Sequence, residues 1–309
     1  MILKTSLTLV ITIMVLAGKA AADDDLQKKV DSLFKIASSG SVLYADMVEP
    51  AKDSLAALGA PAVPLLIDKF TTKSTRAKWA VIFVLQRIGS PAVPDLVAAL
   101  SRPDEKIVQN VCWALGDIAD SSATLPLMAI ANHECWQVRD QVIRAFGRIK
   151  DRRADEVVLK ALNDTLAQVR KAAAVSCGQI NLTGGIKKLV SLLGDDFYGV
   201  RMTALEALMK MDTSLVLPVL ADSINSDNHL LGNLVCEMLG QYGSDEALEL
   251  LLEQTDSGNL ERRAHAGVAI IRADPDDNCG FRRLFYNNEK DRLVHLKFES
   301  AIRAAQNAR

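Results

Sequence analysis

Two copies of one short motif decide the fold: Leu58-Gly59-Ala60-Pro61-Ala62-Val63-Pro64 is followed by Ile88-Gly89-Ser90-Pro91-Ala92-Val93-Pro94. The second copy begins 30 residues after the first. When the first position of the motif is carried along the chain in steps of 29 to 31 residues, it meets Ile118, Ile149, Ile180, Met211, Tyr242 and Ile271. A period of this length is the signature of a repeat architecture. We refer to these residues as the anchors.

Each repeat reads as a pair of helices. Before an anchor, apolar side chains recur at helical spacing, as in Val138, Val142, Ala145, Phe146 and Ile149. Two residues before several anchors stands a glycine: Gly116, Gly147, Gly178 and Gly240. After an anchor, a helix is expected to open with proline, which is best tolerated in a first turn, as at Pro61, Pro64, Pro91, Pro94, Pro126 and Pro218. One pair cannot bury its apolar face alone, so neighbouring pairs must stack. The sequence predicts an all-α fold, an α-solenoid (superhelix) of about eight antiparallel helix pairs.

The pattern resembles HEAT repeats, in the short HEAT-like form also found in phycobilisome lyases. The resemblance covers about residues 40 to 272. The acid and arginine typical of the family, six residues apart, are matched by Asp164 with Arg170 and by Asp195 with Arg201, and Arg139 holds the equivalent position beside His133. The resemblance implies that these arginines and turn carboxylates form a structural ladder between adjacent repeats.

The chain divides into four predicted segments: a signal peptide at 1–22, an N-terminal capping helix at 23–40, the repeat array at 41–272 and a C-terminal cap at 273–309. Lys4, the apolar run from Thr5 to Leu16 and three alanines ending at Ala22 are typical of a secretory signal. We expect cleavage after Ala22 and export to the periplasm or the extracellular space. The apolar run is too short to span a membrane comfortably, and Lys19 stands where a lipid-anchor motif requires cysteine.

Composition argues against several classes of protein. The net charge is −2, with 36 basic and 38 acidic residues, and no basic stripe is present, so nucleic-acid binding is not expected. The five cysteines are odd in number, widely spaced and without a CxxC pair, so a zinc site is not expected. We expect most of them to be small buried apolar residues. A bridge between Cys112 and Cys135 remains an alternative.

The second helix of each pair is the expected binding face, because in HEAT-like arrays it lines the concave side. Outward positions on it place aromatic and basic residues together: Trp79, Phe83, Arg87, Trp113, Arg144 and Arg148. Such residues are the usual anchors of protein interfaces, so we predict a surface that binds another protein or peptide. Two simpler interpretations remain open: the aromatic residues fill space between repeats, and Arg87, Asp117 and Arg148 form a solvated salt-bridge row.

An enzyme is the alternative to a scaffold. A HEAT-like family, deoxyhypusine hydroxylase, holds two irons with His-Glu pairs on its repeat helices. The positions that match its histidines carry no histidine in this chain: Trp79, Gln109, Asp140, Lys171, Met202, Asn233 and Arg262. The acidic turn at Asp274 lacks the glycine and glutamate of a calcium loop. A bilin-lyase role conflicts with export, and a carbohydrate- or envelope-binding role rests on Trp79 and Trp113 alone. We therefore predict a non-catalytic scaffold or assembly factor without a cofactor.

Overall fold

The protein is all-α in a computed structural model, which describes residues 23–273 and 292–307. The helices are α1 (23–37), α2 (Val48–Ala56), α3 (Val63–Asp68), α4 (Thr75–Ile88), α5 (Val93–Ala99), α6 (Glu105–Ile118), α7 (Thr124–Ala129), α8 (Trp136–Ile149), α9 (Asp155–Ala161), α10 (Ala167–Ile180), α11 (Ile186–Leu192), α12 (Tyr198–Leu208), α13 (Thr213–Ser223), α14 (His229–Tyr242), α15 (Asp245–Gln254), α16 (Leu260–Ala273) and α17 (Arg292–Asn307). No strand occurs in these ranges. The predicted fold class is confirmed.

Short 3-10 turns lead into many of the first helices: Ala60–Ala62, Ser90–Ala92, Ser121–Ala123, Arg152–Ala154 and Thr183–Gly185. A further 3-10 helix, Val42–Met47, leads into α2. From α3 onward the described helices form seven pairs, each with its second helix ending at or near a predicted anchor. Ile88, Ile118, Ile149 and Ile180 are the last residues of their helices. The period read from the sequence is therefore the spacing of the second helices.

Two compact units divide the chain between Ala154 and Asp155, so the predicted array at 41–272 is shared between them. In the first unit α6 packs on α4 and α8, and α5 packs on α3. In the second unit α12 packs on α10, and α16 packs on α14 and α17. Within each unit, equivalent helices of successive pairs therefore lie side by side, which is the stacking of a solenoid.

Glycines recur two residues before several anchors because second helices approach each other closely there. A Cβ built on Gly116 would lie 2.8 Å from the Cα of Ala145 on the next second helix. A Cβ on Gly240 would lie 2.8 Å from the Cβ of Ala269 and 2.9 Å from its carbonyl oxygen. Real side chains do not approach so closely, so glycine sets the distance between α6 and α8 and between α14 and α16.

Polar side chains cap the start of three second helices, and left-handed residues end four of them. The side chains of Ser74, Asp104 and Asn228 accept hydrogen bonds from backbone N–H groups in the first turns of α4, α6 and α14. The residues after α6, α8, α10 and α14 have φ between 52° and 61°: Ala119, Lys150, Asn181 and Gly243. Local sequence thus delimits helices whose stability comes from packing between pairs.

One local expectation was wrong. Pro218 was predicted in the opening turn of a first helix, but it lies inside α13, which begins at Thr213. Asp212 caps this helix by accepting from the N–H of Ser214, so the helix starts about one turn earlier than in the repeats whose first helix follows a 3-10 turn. Because Pro218 has no N–H, the helix lacks one intrahelical hydrogen bond at this position.

The first and last described helices can be compared with the predicted caps. The helix α1 lies within the predicted N-terminal cap, and α17 matches the helix expected from about Leu293 to Gln306. The predicted signal peptide at 1–22 and the acidic turn at Asp274 lie outside the described residues. No single helix of the described part is long and apolar enough to cross a membrane, although the bent pair Thr75–Ile88 and Ser90–Ala99 meets that test of length and composition when joined.

Candidate binding surface

Two aromatic side chains on α4 remain partly exposed to solvent. Trp79 and Phe83 lie one turn apart and are 41% and 43% exposed. The opposite side of the same helix is buried at Ala77, Val81 and Leu85. The amphipathic pattern predicts such an inner face, but it places polar residues, not large rings, on the outer one. About two fifths of the surface of each residue therefore stays outside the core and is available for contact.

Three rings form one cluster across α4 and α6. The centroids of Trp79 and Trp113 are 4.6 Å apart with the ring planes at 79°, an edge-to-face arrangement. Trp79 and Phe83 are 5.9 Å apart. The Nζ of Lys52, on α2, lies 5.3 Å from the centroid of the Phe83 ring. The aromatic pairs and the nearby ammonium are contacts that favour these ring orientations. We call Trp79, Phe83 and Trp113 the aromatic cluster.

Trp113 is also tied to a salt bridge. Its side chain is hydrogen-bonded to Asp117, one turn further along α6. The Nε of Arg148, on α8, lies 3.3 Å from Oδ1 of Asp117. Partial burial raises the pKa of Asp117, although Arg148 and the bond to Trp113 pull it down. The aromatic cluster is thus joined to the next second helix through a half-buried ion pair.

The arginines of the predicted surface are each engaged with a carboxylate. Arg87 lies 2.6 Å from Oε2 of Glu49 and 3.0 Å from Oδ1 of Asp53, both on α2. Arg144 donates to Asp140 on its own helix at 2.9 Å. Of the salt-bridge row left open by the sequence, the pair of Arg148 with Asp117 is present, whereas Arg87 pairs with α2. The six predicted residues thus comprise three joined rings and three paired arginines.

Residues before the first repeat pair were missed by the sequence reasoning. Lys52 and Glu49 on α2 border the rings, and Val42 and Leu43 in the 3-10 helix Val42–Met47 are 90% and 87% exposed. The prediction took candidates from second helices alone. An available signal was the apolar run beginning at Val42, which follows the turn at Gly40 and falls outside the repeat period.

The arginines of the structural ladder bind backbone carbonyls in their own turns, and Arg170 also binds a carboxylate of the next repeat. Arg170 donates through Nε and Nη2 to the two carboxylate oxygens of Asp195, at 2.8 and 3.0 Å, in the next repeat. Its Nη1 donates to the backbone carbonyls of Asp164 and Thr165. Arg201 binds the carbonyls of Asp195 and Asp196 in the same way, and Arg139 binds those of His133 and Glu134. Each arginine therefore closes its own turn.

The pKa of Asp195 reflects both its burial and the hydrogen bonds of the ladder. Burial alone would raise the pKa of Asp195, but the hydrogen bonds from Arg170 and from the backbone N–H of Phe197 outweigh it, and the pKa is lowered. Phe197 and Tyr198 stand beside the ladder, 58% and 67% exposed. Arg170 lies 5.8 Å from the ring centroid of Phe197 and Arg201 lies 5.5 Å from that of Tyr198. The sequence reasoning missed this aromatic pair.

The described thiols and imidazoles occupy ordinary structural positions. Cys112, Cys177 and Cys236 are buried and free, and Cys135 is half-buried and free. The fifth cysteine, Cys279, lies outside the described residues. The Nδ1 of His133 accepts from the backbone N–H of Cys135 at 3.0 Å. In the ranges that the structure covers, no three His, Cys, Asp or Glu residues are grouped as a metal site would require.

The chain also matches the sequence model of a protein family. The model for HEAT repeats matches the chain in five overlapping stretches, 63–133, 93–177, 124–198, 156–233 and 186–271. Together they cover residues 63–271, which is 209 of 309 residues. Among curated protein sequences, none matches this chain.

Solved structures are similar in fold at low sequence identity. YibA of Escherichia coli is 18% identical, with a TM-score of 0.51, and the match covers 86% of this chain and 98% of YibA. Human deoxyhypusine hydroxylase in complex with glycerol is 17% identical with a TM-score of 0.36, covering 80% and 97%. The CpcE and CpcF complex of the Nostoc phycocyanin lyase is 16% identical with a TM-score of 0.40, covering 79% and 94%. At these identities the likeness concerns architecture alone.

Proposed function

Because the chain belongs to the HEAT-repeat family, we propose that it is a non-catalytic scaffold or assembly factor that binds another protein or peptide through the second helices of its first unit. The observation that carries this proposal is the aromatic cluster, where Trp79 and Phe83 remain 41% and 43% exposed on an otherwise amphipathic helix. Exposed rings grouped together mark interaction sites more often than isolated exposed apolar residues do.

The chemistry around the rings suits a protein interface. Rings at the centre supply apolar contact area at low cost in side-chain entropy, since their mutual contacts already favour these orientations. The ion pairs around them, Arg87 with Glu49 and Arg148 with Asp117, lie where a polar rim is expected. Rim charges of this kind govern orientation and association rate more than affinity.

Two variants test the proposal against a matched control. Trp79→Ala combined with Phe83→Ala removes the exposed rings, whereas Leu125→Ala removes a side chain that is 57% exposed on α7, a first helix. Affinity capture from the native source with mass spectrometry should return one set of partners with the wild type and with Leu125→Ala. The double variant should lose that set. Equal capture by all three proteins would refute binding through the aromatic cluster.

We also propose that the protein has no catalytic activity and that it acts in the periplasm or extracellular space. Export to the periplasm or extracellular space is inferred from the predicted signal peptide at 1–22. Intact-mass analysis of the native protein should give a chain that begins at Asp23, and a chain retaining residues 1–22 would contradict cleavage. Metal analysis and absorption spectra of the purified protein should show neither metal nor chromophore. A stoichiometric metal or bilin would favour the enzyme or enzyme-accessory alternative.

A further inference from the structure

A cavity of about 390 Å³ lies beside the aromatic cluster, between the 3-10 helix Val42–Met47, α2 and α4. Its lining is mainly apolar, with Val42, Ala45 and Val48 on one side and Trp79 and Phe83 on the other. Ligand pockets have volumes of roughly 300–1,000 Å³, so this cavity has room for one large side chain with its adjoining backbone. All of these residues belong to the first unit.

The walls of the cavity are open to solvent. The six residues of the 3-10 helix include none that is buried, and Val42 is 90% exposed. A short helix that presents valine and leucine to water makes no use of their apolar surface within its own fold. The exposed wall and the exposed rings of α4 therefore form one apolar recess that none of the described residues covers.

The charges around the recess are unbalanced. Glu49 is shared, with Oε1 at 2.7 Å from Lys52 and Oε2 at 2.6 Å from Arg87. Arg76 also lines the recess, and within the described residues no carboxylate pairs with it. Its guanidinium lies against Gly40, where a Cβ would come within 3.3 Å of Cζ and Nε. Arg76 is thus held at the recess with hydrogen-bond donors that no acid in this part of the chain uses.

We propose that this recess is the specificity site of the surface and takes an apolar side chain of a partner peptide whose neighbouring residue is Asp or Glu. The apolar side chain enters between Val42 and the rings of Trp79 and Phe83, and the neighbouring carboxylate pairs with Arg76. Charge complementarity carries this choice of occupant, because Glu49 pairs with Lys52 whereas no carboxylate of the described residues pairs with Arg76. The inference rests on the proposed function and names the chemistry of the partner.

Peptide selection on the full chain tests the recess directly. Random peptides displayed on phage are selected on the wild type, Arg76→Glu, Ala45→Trp and the control Leu125→Ala. The wild type and Leu125→Ala should enrich peptides in which an apolar residue adjoins Asp or Glu. Arg76→Glu should bind those peptides roughly ten-fold more weakly and should instead enrich Lys or Arg at the acidic position. Ala45→Trp, which fills the recess, should lose the enrichment.

Two results would overturn the inference: selected peptides without an acidic neighbour, or the same peptides selected by Arg76→Glu. Thermal unfolding of each variant shows whether it is folded, and Arg76→Glu changes an exposed side chain, so its fold should be retained. Capture of the native partner separates the two proposals. If Trp79→Ala with Phe83→Ala loses the partner and Arg76→Glu keeps it at full strength, the recess chemistry is wrong while the proposed function stands. If neither variant affects capture, the proposed function fails too.

Discussion

The ladder contains an ion pair that is largely shielded from solvent. Arg170 and Asp195 keep only 15% and 7% of their side-chain surface exposed, and two hydrogen bonds join them. A largely buried bidentate pair differs from a surface pair because removal of one partner leaves the other charge without its partner. The pair is thus a structural tie between two repeats of the second unit.

Arg170→Ala should lower the free energy of unfolding by about 2–4 kcal/mol, because Asp195 would remain buried and unpaired. Arg87→Ala is the matched control, since Arg87 and Glu49 are 37% and 60% exposed and their pairing is screened by water. Its effect should be below about 1 kcal/mol. Urea denaturation of the two variants and the wild type measures both values, and equal losses would contradict the ladder.

The lowered pKa of Asp195 also predicts how stability changes with acid. A carboxyl group whose pKa is lower in the folded than in the unfolded state stabilises the fold at pH values above its unfolded pKa, about 3.9. That contribution is lost as the pH falls through the folded pKa. Asp195→Asn should therefore be less stable than the wild type at pH 7, and the difference should shrink below about pH 4. A stability difference that stays constant across this pH range would show that protonation of Asp195 is not coupled to folding.

The buried thiols give a second prediction about individual residues. Burial raises the pKa of Cys112, Cys177 and Cys236 to about 12, so thiolate is scarce at neutral pH and access is blocked. Among these three and Cys135, iodoacetamide should label only Cys135 in the native protein and all four after denaturation. Peptide mapping by mass spectrometry distinguishes the sites. Rapid native labelling of Cys112 would contradict the packing of α6.

The family resemblance implied ties between adjacent repeats, and Arg170 with Asp195 forms one, but the six-residue spacing does not show which carboxylate each arginine binds. Asp164 and Arg170 are six residues apart, yet the guanidinium binds the backbone carbonyl of Asp164 and the carboxylate of Asp195 from the next repeat. Oδ1 of Asp164 accepts instead from the N–H of Leu166 in its own turn. Whether an arginine pairs within or between repeats depends on the distance between helix pairs, which no local pattern contains.

At the scale of helices, the spacing of glycine and the anchor is the best sequence signal. Both follow from geometry: the anchor ends a second helix, and the glycine two residues earlier lets the next second helix approach. Gly116 and Gly240 occupy this position against Ala145 and Ala269. The start of α13 could not be predicted in the same way, because Asp212 supplies a cap outside the period and Pro218 falls inside the helix.

Gly240→Ala tests whether glycine sets the distance between helices. The new Cβ would meet Ala269 at 2.8 Å, and such overpacking costs about 1–3 kcal/mol, more than the gain of at most about 1 kcal/mol in helix propensity. Gly199→Ala on α12 is the control, because only the Cδ of Lys171 lies near it, at 4.0 Å. Thermal unfolding should show a lower Tm for the first variant and an unchanged or higher Tm for the second. Equal Tm values would show that α14 and α16 can move apart freely.

At the scale of the whole molecule, the repeat explains the architecture, and the proposed binding surface lies on one face of the first unit. The first helices and the buried sides of the second helices stack within each unit, and the aromatic cluster stands on the remaining side of α4 and α6. Sequence periodicity identified Trp79, Phe83 and Trp113 as members of that side. It could not identify the recess, because Val42 and Arg76 meet there through packing of a segment that precedes the repeats.

Site-specific photo-crosslinking in the native source tests the central claim most directly. A photoreactive phenylalanine analogue replaces Phe83 in one protein and Leu125 in another, since the two side chains are 43% and 57% exposed in the same unit. The account predicts a discrete crosslinked protein partner from position 83 and none from position 125. Crosslinks from position 125 alone, or no protein crosslink from position 83, would contradict it.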